Sequence, residues 1–248
     1  LSCTCILRSR SSAGPSRAVA VLVVGVRQRY YPVTTLRHVV AAAAREGFEV
    51  DYFVMLNWNQ PRDHHRLFSK PYLQASSNPL FANSTKVAMQ DYVTRLARRY
   101  GARRVQIHLM DPGVSWNPDP PSTERLFGRD FVGHLAYLNY MLKLRKVELL
   151  WNRTRAALRS ETYKHVILVR DDVHWLEDIR LADFPDSRAV YSQAMGFLCS
   201  RSSNPGLPTE HVFVIGGDVA DSLLRAYSEY YSNPSTALDR VGSTEEYW

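Results

Sequence analysis

Two adjacent carboxylates follow directly after an apolar run in the segment Lys164–Trp175 (KHVILVRDDVHW). Asp171 and Asp172 stand where the pattern predicts the end of a buried strand, and Arg170 precedes them. Burying ionised carboxylates at such a position costs free energy unless a cation compensates their charge. One solution is Mg²⁺ or Mn²⁺ on a diphosphate, because these ions prefer oxygen ligands. The alternative is that one carboxylate caps a short helix through Leu176, with Arg170 as its ion-pair partner.

A second candidate is the turn after the first apolar run, Gly25-Val26-Arg27-Gln28-Arg29. A nucleotide often binds after the first strand of an α/β sheet. The chain has no GxGxxG sequence there, which argues against the usual dinucleotide loop. Arg27 and Arg29 are suited to clamp a diphosphate or to stack on a base. The alternative is a solvated basic turn.

The elements that would position these residues alternate between strand and helix. Apolar runs rich in β-branched residues predict strands over Ala18–Val26, Glu49–Leu56, Arg104–Met110, His165–Val169, Ala189–Gln193 and His211–Ile215. Helical spacing and capping residues predict helices over about 34–46 (capped by Thr34 or Thr35), 86–100, 130–160 and 218–231. This alternation predicts an α/β fold, a Rossmann-type, mostly parallel sheet with helices on both faces.

Ligands of such sheets bind beyond the carboxyl ends of the strands. The rule directs attention to five segments: 25–29, 57–59, 110–111, 170–172 and 216–218. It adds Asn57 as a candidate ligand contact and Asp218 as a candidate catalytic carboxylate. The alternative for Asp218 is an N-cap, because it precedes the last predicted helix.

Length and composition indicate one large domain. The chain has 248 residues, 45% hydrophobic and 22% charged, and we expect a single domain over 18–248 after a flexible, Ser-rich tail over 1–17. The net charge is +7, and 26 of the 31 basic residues are arginines scattered along the chain, so no nucleic-acid partner is expected. Cys3, Cys5 and Cys199 have no zinc spacing. No apolar run can span a bilayer, so membrane attachment would need an anchor upstream of Leu1.

The order and spacing of these motifs resemble a family of GT-A-like glycosyltransferase domains found in algae, oomycetes and other eukaryotes. The matching segments are the Gly-plus-Arg turn at 25–29, Val50–Val54 (VDYFV), Arg170–Val173 (RDDV), Phe213–Gly216 (FVIG) and Ser243–Tyr247 (STEEY). Together they extend over residues 18–248, essentially the whole chain.

The resemblance implies transfer of a sugar from a nucleoside-diphosphate donor to a hydroxyl of a glycan, protein or lipid acceptor. It implies Mn²⁺ or Mg²⁺ on Asp172 and Asp171, with Asp172 first. Donor contacts then fall to Gly25 and Arg27 or Arg29, with Asn57 and Arg170 alongside. Arg170-Asp171-Asp172 stands in place of a full Asp-x-Asp, so an Arg or Lys could also replace the metal.

The catalytic carboxylates that this reading implies are Asp172 and Asp218, with Glu245 and Glu246 as candidates by position alone. Two other classes of protein stay open: a non-catalytic domain that binds glycan or protein, and another nucleotide-binding enzyme such as a methyltransferase. Sequons at Asn83 and Asn152 suit the Golgi or secretory-pathway lumen, with the cytoplasm as the alternative.

Overall fold

The computed structural model describes residues 17–58, 79–111, 131–158, 162–194, 208–225 and 228. Six strands form one sheet: β1 (Ala18–Val26), β2 (Glu49–Asn57), β3 (Ala102–Met110), β4 (His165–Arg170), β5 (Val190–Ala194) and β6 (Pro208–Gly216). Their spatial order is β3-β2-β1-β4-β6-β5. The pairs β3–β2, β2–β1 and β1–β4 are parallel, and the pairs β4–β6 and β6–β5 are antiparallel. The predicted α/β class is confirmed.

Helices cover both faces of the sheet. They are α1 (Pro32–Thr35), α2 (Ala41–Arg45), α3 (Lys86–Arg99), α4 (Phe131–Leu158) and α5 (Ala220–Leu224), and a π-helical turn over Leu36–Val40 joins α1 to α2. Short 3₁₀ turns cover Arg27–Arg29, Pro79–Phe81 and Leu181–Asp183. The predicted helix after β1 therefore begins earlier than expected, because Pro32 stands at its first position, where a proline loses no hydrogen bond.

The alternation of side chains along β1 divides the core into two layers. Val19, Val21 and Val23 pack with the residues of α2 and α3, whereas Leu22 and Val24 face α4. All are buried, which is why the run is apolar without interruption. Burial on both faces places β1 in the middle of the sheet, so that its carboxyl end lies at the centre of one edge.

The two crossover helices on the first face have well-defined ends. Thr85 caps α3 by accepting a hydrogen bond from the Ala88 amide at 3.2 Å. Gly47 and Gly101 follow α2 and α3 with positive φ values of 85° and 95°, a conformation that favours glycine. These ends return the chain to the amino edge of the sheet, where β2 and β3 begin.

The direction of β6 differs from the parallel arrangement expected for most of the sheet. Its register pairs Gly216 with His165, the first residue of β4, so β6 ends at the amino edge. The segment after β4 returns to the amino edge before β5 begins, since Ser187 accepts from the Asp218 amide at 3.0 Å. An apolar run reports that a strand is buried but not which way it runs, so the sequence left this undetermined.

A buried ion pair also lies at the amino edge. Asp51 is fully buried and accepts from Arg103 Nε and Nη2, each at 2.9 Å. The Tyr163 hydroxyl donates to the same carboxylate at 3.0 Å. This arrangement satisfies the buried charge and links β2 to β3 and to the segment that precedes β4.

Three predictions fall outside the described residues: the tail apart from Arg17, the cysteines, and the acidic stretch near the C-terminus. The single-domain assignment over 18–248 stays a prediction. In the described part of the chain, no helix is both long enough and apolar enough to cross a membrane.

Candidate functional site

The ends of β1 and β4 meet at the carboxyl edge of the sheet. Val24 pairs in register with Arg170, and the Asp171 amide donates to the Val24 carbonyl at 3.1 Å. The chain after β1 returns to the same point, since the Tyr31 amide donates to the Asp171 carbonyl at 3.4 Å. The parallel pairing therefore brings the two sequence candidates, the turn after β1 and the acidic pair after β4, into direct contact.

Asp171 points inward beneath this turn. Its side chain has no exposed surface. Oδ2 accepts from the Val26 amide at 2.9 Å and from Arg29 Nε at 3.2 Å, and Oδ1 accepts from Arg29 Nη2 at 3.1 Å. Burial raises the pKa of Asp171, and the charge of Arg29 and the Val26 hydrogen bond oppose that rise.

Asp172 lies nearer the surface and is held by two arginines. Arg170 Nε and Nη2 donate to its two oxygens at 2.5 and 3.1 Å, and Arg29 Nη1 lies 3.2 Å from Oδ2. Burial opposes ionisation of Asp172, but the hydrogen bond from Arg170 and the charge of Arg29 outweigh it, so its pKa lies below the usual value. We call Arg29, Arg170, Asp171 and Asp172 the Arg–Asp cluster.

Gly25 is required by the contact with Asp171. A Cβ atom at Gly25 would lie 2.0 Å from Asp171 Cγ and 2.2 Å from Oδ1. Non-bonded heavy atoms cannot approach that closely, so any side chain at position 25 would displace the buried carboxylate. The glycine predicted as a donor contact is thus accounted for by packing inside the protein.

Lys146 of α4 is a member of the site that the sequence reading missed. It is buried, and its Nζ donates to the Gly25 carbonyl at 3.3 Å. Its pKa is lowered to about 8, mainly by burial and in part by the charges of Arg29 and Lys143, while the charge of Asp171 opposes the shift. A signal was present in the sequence: Lys146 follows Leu142 by four positions and precedes Leu149 and Leu150 by three and four, which is the spacing of neighbours on one side of a helix.

The described residues around this contact carry more positive than negative charge. Arg29, Arg170 and Lys146 are three cations, and Asp171 and Asp172 are two carboxylates. Lys143 lies within electrostatic range of Lys146. The arrangement therefore suits an anionic ligand.

Arg27 and Asn57 lie at the same edge but outside the cluster. Arg27 Nη1 donates to the Phe81 carbonyl at 2.9 Å, and its guanidinium group lies 4.4 Å from the centre of the Trp58 ring. Asn57 ends β2 and pairs in register with Val26. Of the two arginines left open by the sequence, Arg29 is the one that contacts the acidic pair.

The structure does not bring Asp218 to this site. It follows β6 at the amino edge, on the opposite side of the sheet, and accepts from the Ser187 hydroxyl at 2.5 Å. The inclusion of Asp218 in the candidate site is therefore corrected, because it assumed that β6 ran parallel to β4. The N-cap alternative is wrong as well, since Val219 precedes α5 and no side chain caps it. Glu245 and Glu246 lie outside the described residues.

The capping interpretation of the acidic pair holds only in part. No helix forms over residues 171–176, all of which the structure describes. The predicted ion pair between Arg170 and the acidic pair does form, on Asp172.

The same contacts test whether the acidic pair fits the metal ion that the resemblance implies. All four carboxylate oxygens of Asp171 and Asp172 already accept from an amide or a guanidinium group. Within the described residues, no group of three or more His, Cys, Asp or Glu side chains is placed to hold a metal. A divalent cation would need to displace Arg29 from a fully buried carboxylate, so these residues as arranged do not fit one.

Comparisons with known proteins add one distant likeness. No protein-family model and no curated protein matches the chain. Among solved structures it is similar to the crystal structure of the glycosyltransferase GlyE from Streptococcus pneumoniae TIGR4, with a TM-score of 0.31 and 11% sequence identity. The match covers 94% of this chain and 42% of GlyE, so the chain spans less than half the length of that protein. The class of the chain rests on its own sheet, which is a mixed α/β, Rossmann-like fold.

Proposed function

We propose that this protein transfers a sugar from a nucleoside-diphosphate donor to an acceptor hydroxyl at the carboxyl edge of its sheet. One observation carries the proposal: the turn after β1 and the end of β4 meet in the Arg–Asp cluster, and with Lys146 beneath it three cations stand against two carboxylates among the described residues. Ligands of α/β sheets bind at this edge, and arginine side chains suit the oxygens of a diphosphate.

The chemistry follows from the charge of the leaving group. Cleavage of the bond between the sugar and the diphosphate leaves negative charge on the phosphate oxygens. Arg29 and Arg170 are fixed in place before the reaction by their carboxylate partners, so little reorganisation is needed to stabilise that charge. Both arginine side chains stay partly exposed, at 34% and 25% of their surface, and can meet a ligand from solvent.

Asp172 is better suited to hold these arginines than to take a proton from the acceptor. A carboxylate whose pKa is held below its ordinary value is a weak base. Its role in this proposal is therefore to position Arg170 and Arg29. The proton of the acceptor hydroxyl goes to an oxygen of the leaving diphosphate, which gains negative charge as its bond to the sugar breaks.

The test is a panel of nucleoside-diphosphate sugars incubated with the full chain, with release of the nucleoside diphosphate as the readout. We expect release from at least one donor, and a loss of about 10- to 100-fold in Arg29→Gln, the range for one hydrogen bond to a charged group. Arg155→Gln is the matched control. Arg155 lies on α4, about 13 Å along the helix axis from Lys146, and its Nη1 lies 2.7 Å from Oδ2 of Asp221 on α5. Equal losses in both variants would contradict a role for the site.

Two other outcomes distinguish the remaining classes of protein. Binding of a nucleoside diphosphate without turnover of any donor, with or without added acceptor, would indicate a non-catalytic binding domain. Binding of S-adenosylmethionine alone would indicate a methyltransferase.

We also propose that the protein acts in the Golgi or secretory-pathway lumen, a location that its two N-glycosylation sequons suit.

A further inference from the structure

We propose that the site works without a metal ion: Asp171 and Asp172 hold Arg29 and Arg170 in place, and the guanidinium groups bind the diphosphate directly. The inference rests on the proposed function, since it concerns how the same site holds its donor. It replaces the role that the family resemblance implies for the acidic pair, ligands of a metal ion, with the role of partners of arginines.

The first support is the occupancy of the carboxylates. Asp171 accepts from the Val26 amide and from two nitrogens of Arg29, and Asp172 accepts from two nitrogens of Arg170. Arg29 Nη1 also lies 3.2 Å from Asp172 Oδ2, so one guanidinium group bridges both acids. A metal ion bound to either acid would break contacts that compensate a buried charge.

The second support is the order of the layers from the core to the surface. The Asp171 side chain has no exposed surface, and Asp172 exposes 24% of its side chain. Arg29 exposes 34%, so the guanidinium group lies on the solvent side of the buried acid. A ligand that approaches this edge from solvent therefore meets arginine before it meets Asp171.

The third support is the donor capacity that remains on Arg29. Each of its three nitrogens contacts a carboxylate oxygen among the described residues, and a guanidinium group carries five N–H donors. Two donors are left for a ligand. Their directions are fixed by the planar group, a geometry that suits phosphate oxygens.

The fourth support is the charge beneath the cluster. Lys146 is buried and lies against the Gly25 carbonyl, which keeps a positive charge under the turn after β1. The Arg–Asp cluster is itself balanced, with two arginines and two acids, so Lys146 gives the described residues of the site a net positive charge. The protein itself thus supplies the charge that a divalent ion would otherwise bring.

The experiment is calorimetric titration of the full chain with inorganic pyrophosphate, first in EDTA and then with Mn²⁺. We expect binding in EDTA and no gain in affinity with Mn²⁺, because no ion takes part in the contact. Mn²⁺ that pairs with pyrophosphate in solution lowers the concentration of free ligand and can only weaken the apparent affinity. Binding that requires Mn²⁺, or no binding of pyrophosphate under either condition, would overturn the inference.

Asp172→Asn separates the two roles by whether its effect depends on Mn²⁺. If Asp172 positions arginines, the variant changes pyrophosphate affinity by the same factor in EDTA and in Mn²⁺, because no ion takes part in the contact. If Asp172 is a metal ligand, the variant loses only the binding that depends on Mn²⁺. An effect of tenfold or more in Mn²⁺ with affinity in EDTA unchanged would overturn the inference.

Arg29→Gln is expected to weaken pyrophosphate binding by about 10- to 100-fold, and Arg155→Gln to leave it unchanged. Because Arg29 compensates the buried Asp171, circular dichroism first establishes that the variant folds. If it does not fold, Arg29→Lys keeps the charge but removes the bidentate geometry, and it should weaken binding in the same direction. Unchanged affinity in a folded Arg29 variant would overturn the inference.

UDP and GDP distinguish failure of the inference from failure of the proposed function. Pyrophosphate that binds in EDTA while no nucleoside diphosphate binds supports the metal-free anion site and rejects the donor. A nucleoside diphosphate that binds only with Mn²⁺ supports the donor and rejects the metal-free site.

Discussion

Gly25→Ala should be among the most disruptive single-methyl additions in the described part of the chain. The new Cβ would lie 2.0 Å from Asp171 Cγ, 2.2 Å from Oδ1 and 2.3 Å from Cβ, against a carboxylate side chain with no exposed surface. Asp171 must therefore move, which breaks its hydrogen bond with the Val26 amide and its contacts with Arg29.

The magnitude follows from those losses. Overpacking a rigid core costs about 1–3 kcal/mol, and breaking a buried ion pair costs about 3–5 kcal/mol. We expect a total loss of about 4 kcal/mol of unfolding free energy, toward the lower end of the combined range because the two effects share one displacement. With a urea m-value of about 2–3 kcal/mol/M, the midpoint should fall by about 1.3–2 M.

Gly47→Ala is the matched control, measured by urea unfolding monitored by circular dichroism. Gly47 has a φ of 85°, and a Cβ there would meet only Arg17 Nη1 at 3.8 Å. Its cost is therefore backbone strain of about 1–2 kcal/mol. A double variant, Gly25→Ala with Asp171→Gly, removes the clash, and should be less destabilised than the sum of its two single variants. A Gly25→Ala protein within about 0.5 kcal/mol of wild type, or strict additivity in the double variant, would refute the reasoning.

The other predictions concern regions away from this turn. Asp51→Asn breaks a buried ion pair, so it should lower the free energy of unfolding in urea by about 3–5 kcal/mol. Because Asp51 lies at the amino edge, the variant should keep the wild-type affinity for pyrophosphate. Weaker pyrophosphate binding by the folded variant would contradict this. Burial lowers the pKa of His165, and the charge of Lys164 lowers it as well. The contribution of His165 to stability is therefore complete above the unfolded pKa of about 6.5 and is lost as pH falls below that value. The loss is at most about 1.4 kcal/mol per pH unit. His165→Leu should flatten the stability profile over that acidic range, and an unchanged slope would show that other groups dominate. When the protein is expressed through the secretory pathway, a glycan should be attached to the exposed Asn83 and not to Asn152. The sequon of Asn152 depends on Thr154, which is fully buried and donates to the Leu150 carbonyl. Mass spectrometry of the two peptides tests this, and a glycan on Asn152 would contradict it.

Much of the sheet could be predicted because burial leaves a direct mark on sequence. β1, β2 and β4 are flanked by cores on both faces. β1 has no polar side chain, and β2 and β4 carry uninterrupted apolar or aromatic runs over 52–56 and 166–169. The bounds of β1 were predicted without error, and the long helix before β4 was found as Phe131–Leu158. These elements also placed the turn after β1 and the acidic pair at one edge, which is the part of the site that the sequence located.

What the sequence could not supply was direction and pairing. Nothing in His211–Ile215 indicates an antiparallel strand, and that alone moved Asp218 to the wrong edge. Likewise, two adjacent aspartates look the same whether a metal or an arginine satisfies them. Arg29 lies 142 positions from Asp171 along the chain, so only the folded sheet reveals the contact.

Hydrogen–deuterium exchange with and without a bound nucleoside diphosphate is the most direct measurement of where the donor binds. We expect new protection in EDTA confined to the segments around 25–31 and 170–175, where Arg29 and the acidic pair meet. Protection at 216–218 or 49–51 on the opposite edge, or saturation of the protein with ligand and no change at 25–31, would place the ligand elsewhere and contradict the proposed site.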